Sequence, residues 1–215
     1  VMVGADLSGI ELRMLAHYLA RYDGGRYADI LLNGDIHQEN ADKIGISRRQ
    51  VKTVTYAFLY GAGDQKIGTS FDGSLGEDKA KRKGKEIRKA FVDAIPGLSD
   101  LLKAVKRAAE RGFVRGLDGR NISVDKGHVA LNYLLQGSAA IIAKRWMVLA
   151  DAQLDSHSHQ LGFIHDELQY ETIPASVNDL KFLLELTAVQ AGEYYNLRLP
   201  IAAEAKSGKN WAEVH

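Results

Sequence analysis

The 215-residue sequence has no cysteine, no long apolar run and almost no net charge. The lack of cysteine excludes disulfide bonds and thiolate-ligated zinc. No apolar stretch reaches the ~20 residues that a helix needs to cross a bilayer, and no signal-peptide pattern opens the chain. We therefore expect no membrane partner. Because the formal net charge is only +1, an anion-binding surface has to be sought in local clusters.

Apolar residues make up 46% of the chain and charged residues 26%, which is enough to bury a real core. Few strand-like segments are scattered among many helical ones. This pattern predicts an α+β fold with a small antiparallel sheet backed by helices. The first residue is Val1, and a strand-like run follows at once, so we expect the sequence to be part of a longer protein.

A carboxylate stands at the end of the first apolar run, in the stretch Ala5-Asp6-Leu7-Ser8-Gly9. The run from Val1 to Asp6 is typical of a buried strand, which Ser8 and Gly9 interrupt. The open end of a rigid strand is a suitable place for a metal ligand. By itself, Asp6 is more typical of a turn or helix-capping residue, and the two interpretations stay open at this point.

A helix is predicted from Ser47 to Tyr60, beginning with a capping box at Ser47 and Gln50. Its apolar residues Val51, Val54 and Phe58 fall on one side and predict a core-facing surface. The other side repeats polar or aromatic residues at every fourth position. That stripe suits either a solvated surface or a triphosphate followed by a sugar and a base. Its members are Arg48, Lys52, Tyr56 and Tyr60.

A second acidic segment, His165-Asp166-Glu167, lies at the tip of a predicted β-hairpin. By itself it is typical of a polar turn. If Asp166 meets Asp6, the two carboxylates can hold two divalent ions ~4 Å apart, an arrangement that suits Mg²⁺. The sequence alone does not show that these distant residues meet.

Two weaker patterns have both structural and functional explanations. His128, Asn132 and Gln136 recur every four residues on a long helix, either as satisfied core groups or as readers of minor-groove acceptors. The basic cluster from Lys79 to Lys89 is either a solvated helix face or a phosphate contact.

Three of these segments, in this order and spacing, resemble the palm and fingers of family A DNA polymerases, and most closely the replicative polymerases of bacteriophages. Motif A is matched by Asp6-Leu7-Ser8-Gly9-Ile10-Glu11-Leu12-Arg13. Motif B is matched by Arg48-x3-Lys52-x3-Tyr56-x3-Tyr60-Gly61, and motif C by Ile164-His165-Asp166-Glu167. Shorter matches are Asn33-Gly34-Asp35-Ile36-His37, Gly116-Leu117-Asp118-Gly119-Arg120, Leu131-Asn132-x-Leu134-Leu135-Gln136 and the ending Asn210-Trp211-x3-His215.

The resemblance implies an incomplete right-hand polymerase fold that lacks most of the thumb. Its palm would comprise residues 1–32, with motif A, and 113–215, with motif C. A helical fingers subdomain with the motif B helix would occupy residues 33–112.

The resemblance also implies a role for each matching residue. Metal ligands would be Asp6, Asp166 and the backbone carbonyl of Leu7. Catalytic residues would be Asp6, Asp166, the accessory carboxylate Glu167 and Lys52. Nucleotide-binding residues would be His37, Arg48, Lys52, Tyr56, Leu7 and Glu11, with Glu11 crowding the 2′ position of the sugar. DNA-binding residues would be Tyr60, Arg120, Asn132, Gln136 and His165.

The activity implied is template-directed addition of dNTPs to a primer 3′-OH by two-metal nucleotidyl transfer, with two Mg²⁺ or Mn²⁺ ions as cofactors. Primer–template DNA and dNTPs would be the partners, and a processivity factor is left unspecified. The expected location is the cytoplasm, that of the bacterial host for a phage protein. The alternatives are a single-subunit RNA polymerase, against which Glu11 argues, and a DNA-binding fragment that is inactive without the thumb.

Overall fold

The computed structural model describes residues 1–215, which form two compact units. Helices α1 and α8, whose ranges follow below, contribute residues to both units. None of the helices combines the length and the apolar character that a membrane span requires. The predicted palm–fingers–palm division stays a prediction. The sheet unit comprises Val1–Met14, Leu117–Gly119 and Gln136–His215, and the helical unit comprises Leu15–Gly116 and Arg120–Leu135.

Ten helices and six strands follow one another along the chain. They are β1 (Met2–Leu7), α1 (Ile10–Asp23), α2 (Arg26–Asn33), α3 (Ile36–Ile44), α4 (Arg48–Leu59), α5 (Asp64–Phe71), α6 (Glu77–Ala94), α7 (Leu98–Ala109), β2 (Phe113–Arg115), β3 (Asn121–Ser123), α8 (Ala130–Asp151), β4 (His159–Ile164), β5 (Glu167–Glu171), α9 (Val177–Tyr194), β6 (Ala203–Gly208) and α10 (Trp211–Val214). Short 3-10 turns precede α8 and α9.

The main sheet has four antiparallel strands in the order β4-β5-β1-β6, and β2 pairs with β3 in a separate hairpin. This confirms the predicted α+β fold with a small antiparallel sheet and a helical subdomain. Two helices, α5 and α10, were not foreseen from the sequence.

The two faces of the sheet differ in polarity because side chains alternate along each strand. Val3, Ala5 and Leu7 of β1 are buried on one face, beside Leu168 and Tyr170 of β5. Helix α9 packs against β1 and β6. In turn, the buried Trp146 of α8 donates its indole N–H to the carbonyl of Leu184 in α9, at 2.8 Å. The core of this unit therefore lies on the apolar side of β1, which leaves Asp6 on the other face.

Helix α4 begins where its sequence predicts. Ser47 is the N-cap, and its side chain and that of Gln50 form the expected capping box. Val51, Val54 and Phe58 are buried, which confirms the predicted core-facing side. The ring of Phe58 lies 5.0 Å from that of Phe91 in α6, so α4 is anchored to the core of the helical unit.

Helices α5 and α6 pack backbone against backbone, which requires glycine at the contact. A Cβ at Gly68 would overlap the carbonyl of Ala80, and a Cβ at Gly84 would overlap the carbonyl of Asp64. Arg88 adds an ion pair with Asp64 at 2.6 Å, between half-buried side chains. Glycine is therefore required at both positions by the close contact between the two helices.

Gly84→Ala is expected to destabilise the helical unit by about 3 kcal/mol, because the overlapping atoms belong to rigid backbone. Urea unfolding followed by circular dichroism measures the effect. Gly73→Ala is the matched control, since its added Cβ would meet only one atom, at an ordinary 3.9 Å. Equal unfolding midpoints for the two variants would contradict the close contact.

Candidate active site

The structure places Asp6 and Asp166 on adjacent chain segments. Strand β1 pairs with β5 so that Asp6 lies opposite Glu167, the first residue of β5. Immediately beyond this pair, the N–H of Leu7 donates to the carbonyl of Asp166 at 3.1 Å. The end of β1 and the hairpin tip, 160 residues apart in sequence, are thus held side by side by strand pairing.

The hairpin tip consists of His165 and Asp166, between β4 and β5. His165 has φ 57°, in the left-handed region that non-glycine residues seldom adopt. Its ring Nδ1 lies 2.8 Å from Oδ1 of Asp166. This hydrogen bond is the main reason that the pKa of His165 is raised, and the carboxylates of Asp166, Glu11 and Asp6 add to it. The strained turn orients the imidazole along the Asp166 carboxylate.

Asp6 is the residue whose ionisation is most disturbed by these neighbours. Partial loss of water around the carboxyl, followed by the negative charges of Asp166 and Glu167, raises the pKa of Asp6 to about 6. Partial burial and the negative neighbours both favour the protonated carboxyl, so a bound divalent cation would lower the pKa of Asp6.

One further carboxylate joins the hairpin tip. Glu11, in the first turn of α1, contributes an oxygen to a cluster with His165 and Asp166 in which the possible ligand atoms lie within 4.8 Å of one another. Carboxylate oxygens are the ligands that Mg²⁺ and Mn²⁺ prefer, so the oxygens of Glu11 and Asp166 fit a hard divalent ion. Asp6 is held near this cluster by the pairing of β1 with β5 but is not a member of it. The sequence predicted a sugar contact for Glu11, and the proximity of Glu11 to Asp166 was not foreseen.

Glu167 differs from Asp6 because both of its carboxylate oxygens have hydrogen-bond partners. Its side chain is buried, and Gln169 Nε2 and Trp211 Nε1 donate to Oε1, the latter at 3.0 Å. Nδ1 of His215 lies 2.8 Å from Oε2. A cavity of about 440 Å³ opens beside these groups and is lined by Asp6, Ser8, Glu167, Glu204, Lys206, Val214 and His215.

In the helical unit, the predicted phosphate-binding residues form one cluster. Arg48 and Lys52 are exposed on α4, while His37 of α3 is buried with its Nδ1 unpartnered. Burial, followed by the charges of Arg48 and Lys52, lowers the pKa of His37, although Asp35 opposes this. The ring of Tyr56 lies 6.3 Å from that of His37, so the aromatic stripe continues the cluster.

Asp35 connects the two helices that carry this cluster. As the N-cap of α3, it accepts the backbone N–H groups of His37 and Gln38, at 3.1 and 3.0 Å. Its other oxygen accepts from Nε of Arg48 at 2.7 Å, and the hydrogen bond from Arg48 is the main reason that the pKa of Asp35 is lowered. The arrangement fixes the spacing of α3 and α4 at their N-terminal ends.

The predicted DNA-binding residues lie on several elements. Tyr60 is exposed at the C-terminal end of α4, and Arg120 is exposed in the turn between β2 and β3. Asn132 donates its amide to the carbonyl of Leu59 at 2.8 Å, which supports the structural explanation for this residue. Gln136 has a buried side-chain N–H without a partner. These four roles, like that of the Leu7 carbonyl, stay predictions.

Sequence reasoning gave Trp211 and His215 no role, although both sit on Glu167. The matching ending Asn210-Trp211-x3-His215 was the available signal. This motif did not indicate a contact with Glu167, because Trp211 and His215 lie 44 and 48 positions from Glu167 along the chain.

Asp6→Asn is expected to stabilise the metal-free chain above about pH 6 and to have no effect below about pH 4. A carboxyl with a raised folded-state pKa favours folding while protonated, and that contribution is lost as the pH rises through about 6. Because Asp6 is partly exposed, the gain at pH 8 should be only about 1 kcal/mol after solvent screening. Urea unfolding at pH 4 and pH 8 in EDTA measures it.

A gain of equal size at both pH values would contradict the assignment. Asp179→Asn is the control, since Asp179 is exposed on α9 and is not among the groups that disturb Asp6. It should show no gain in unfolding free energy at pH 8.

Comparison with known proteins extends over the whole chain. A family model for DNA polymerase family A matches residues 1–213. The DNA-directed DNA polymerases of Enterobacteria phage T3 and Escherichia phage T7 are each 34% identical to it. Each alignment covers 100% of this chain and 33% of the phage protein. The chain therefore spans about a third of the length of these curated relatives.

More distant relatives include bacterial enzymes. DNA polymerase I of Borreliella burgdorferi is 27% identical, over 100% of this chain and 25% of its own length. Among solved structures, the POL domain of Pol1 from M. smegmatis, in complex with DNA primer-template and dNTP, matches with a TM-score of 0.78 and 25% identity. That match covers 99% of this chain and 40% of the mycobacterial chain.

Proposed function

Because this chain belongs to DNA polymerase family A, we propose that it carries the nucleotidyl-transfer site of a template-directed DNA polymerase. In this proposal, residues 1–32 and 113–215 form the palm, and residues 33–112 form the fingers. The substrates are a primer–template and dNTPs, which are also the ligands named for the mycobacterial Pol1 complex. We place the enzyme in the cytoplasm.

One observation carries the proposal: strand pairing holds Asp6, near the end of β1, beside the hairpin tip that carries Asp166. A structural polar turn has no need for a second carboxylate beside it. Asp6, Asp166 and the Leu7 carbonyl would hold two Mg²⁺ or Mn²⁺ ions. When bound, these ions would supply Lewis acidity and offset the charge on the phosphates.

The chain's own residues would position the reactants. The primer 3′-oxygen attacks the α-phosphorus as its proton leaves, and the bond to pyrophosphate breaks. Arg48 and Lys52 would bind the triphosphate, with the unpartnered Nδ1 of His37 beside them. We assign Lys52 as the donor of a proton to the leaving pyrophosphate. Glu167 stays beside Asp6 as the accessory carboxylate.

Discrimination against ribonucleotides separates this proposal from a single-subunit RNA polymerase. Glu11 is buried in the first turn of α1 and would crowd the 2′ position. Tyr56 would lie against the sugar, and Tyr60 near the templating base. Arg120, Asn132, Gln136 and His165 would contact DNA. A DNA-binding fragment without catalysis is the remaining alternative, and the acidic groups near the hairpin tip argue against it because binding DNA does not require clustered carboxylates.

Asp166→Asn in the full-length protein is expected to lower Mg²⁺-dependent primer extension at least a thousandfold, because the charge that holds the ion is lost. Single-turnover extension of a labelled primer measures the rate. Asp179→Asn should extend at the unmodified rate. An Asp166→Asn protein with near-normal extension, or an unmodified protein that prefers rNTPs, would refute the proposal.

Tyr56→Phe is expected to increase discrimination against dideoxynucleotides by at least tenfold. The tyrosine hydroxyl can replace the missing 3′-OH of a dideoxynucleotide, whereas phenylalanine cannot. Competition between dTTP and ddTTP in primer extension gives the ratio of kcat/KM values. Tyr18→Phe, on α1, is the control. Unchanged discrimination in Tyr56→Phe would contradict the sugar contact.

A further inference from the structure

The C-terminal turn is seated on the polar face of the sheet by glycines. Gly4 of β1 lies beneath Val214, and a Cβ at Gly4 would come within 2.8 Å of the Val214 carbonyl oxygen and 2.5 Å of Gln169 Nε2. Gly208 of β6 lies beneath Glu213, where a Cβ would approach the Glu213 Cβ to 2.6 Å. Both contacts leave no room for any other side chain. The short helix α10 therefore lies directly on β1 and β6.

Hydrogen bonds within the segment itself also stabilise this turn. Glu213 accepts the backbone N–H of Lys209 and the side-chain amide of Asn210, each at 2.9 Å. Val214 is buried although it is the penultimate residue of the chain. A four-residue helix is not stable alone, so its position depends on this seat.

The seated turn places two side chains on one carboxylate. Trp211 Nε1 donates to Oε1 of Glu167 at 3.0 Å, and His215 Nδ1 lies 2.8 Å from Oε2. Gln169, opposite Gly4 in the sheet, completes the set. Glu167 itself lies opposite Asp6. A carboxylate that is buried and hydrogen-bonded on both oxygens is restricted to one orientation.

We infer that the segment Trp211–His215 is a positioning element, here named the C-terminal clamp, which fixes Glu167 beside Asp6 and depends on glycine at positions 4 and 208. The inference rests on the proposed function for its effect on rate. Trp211 is a positioning residue, because it acts through Glu167. The C-terminal clamp keeps the carboxylate of Glu167 from moving into the space between Asp6 and Asp166.

A double-mutant cycle in the full-length protein tests whether Trp211 acts through Glu167. Trp211→Phe keeps the ring and removes only the N–H donor. We expect it to lower kcat about tenfold and to leave the KM for dNTP within twofold, since the phosphate-binding residues are unchanged. In a Glu167→Ala background, the same substitution should lower kcat less than twofold. Equal losses in the two backgrounds, or no loss in either, would overturn the inference.

Two glycine variants distinguish the loss of the close contact between Gly4 and Val214 from a general disturbance of the sheet. Gly4→Ala should lower kcat at least as much as Trp211→Phe. Gly162→Ala is the matched control. Gly162 lies in the same cross-strand row, opposite Gln169, but its Cβ would meet the flexible tip of Ile164 at 3.1 Å and the Cβ of Gln169 at an ordinary 4.0 Å. Its kcat should stay within twofold of the unmodified value. Equal kcat values for the two variants would contradict the dependence of the C-terminal clamp on glycine at position 4.

Measurements on the 215-residue chain keep the clamp testable if the full-length protein fails to extend primers, a result that would refute the proposed function alone. The exchange of the Trp211 indole N–H with water, followed by NMR, should be at least tenfold faster in Glu167→Ala than in the unmodified chain. The buried indole of Trp146, which bonds to Leu184, is the internal reference and should not change. Unaltered exchange at Trp211 would overturn the clamp.

Discussion

The antiparallel pairing of β1 with β5 is the constraint on which the candidate active site depends. Its register sets Asp6 opposite Glu167 and brings the Leu7 N–H onto the carbonyl of Asp166. A slip of one residue would turn Asp6 into the core and Leu7 outward. The buried residues of β1 make such a slip costly, because Val3, Ala5 and Leu7 would lose their apolar surroundings. The hydrophobic core thus determines the position of Asp6 beside the hairpin tip.

The carboxylates of Asp6 and Glu167 lie on the same face of the sheet but have different surroundings. Glu167 is buried and has hydrogen-bond partners on both oxygens. Asp6 is more exposed, faces neighbouring negative charge and has a raised pKa. In a site that binds cations, the unsatisfied group is the one that gains most from a bound ion. The structure therefore separates a carboxylate fixed by hydrogen bonds from one that faces neighbouring negative charge.

The sequence predicted those features whose causes are local. Helix α4 has its own capping box and an apolar stripe, so its start, its buried side and its polar side could all be read from fourteen residues. The hairpin tip at His165 and Asp166 was equally local. Helix α5 was missed because Gly68 is poor in helix propensity and is explained only by its contact with Ala80 of α6. The environment of Glu167 was missed because its donor Trp211 comes from a four-residue helix far along the chain.

The glycine contacts between α5 and α6 also determine how this part of the molecule would respond to force. Because backbone touches backbone at Gly68 and Gly84, there is no layer of side chains between the helices that could shear or repack. The Asp64–Arg88 ion pair ties the same two helices together near the Gly84 contact. The two helices are therefore expected to respond to a load as one rigid body. A fluorophore attached in the exposed loop at Gly73 would report on both helices together.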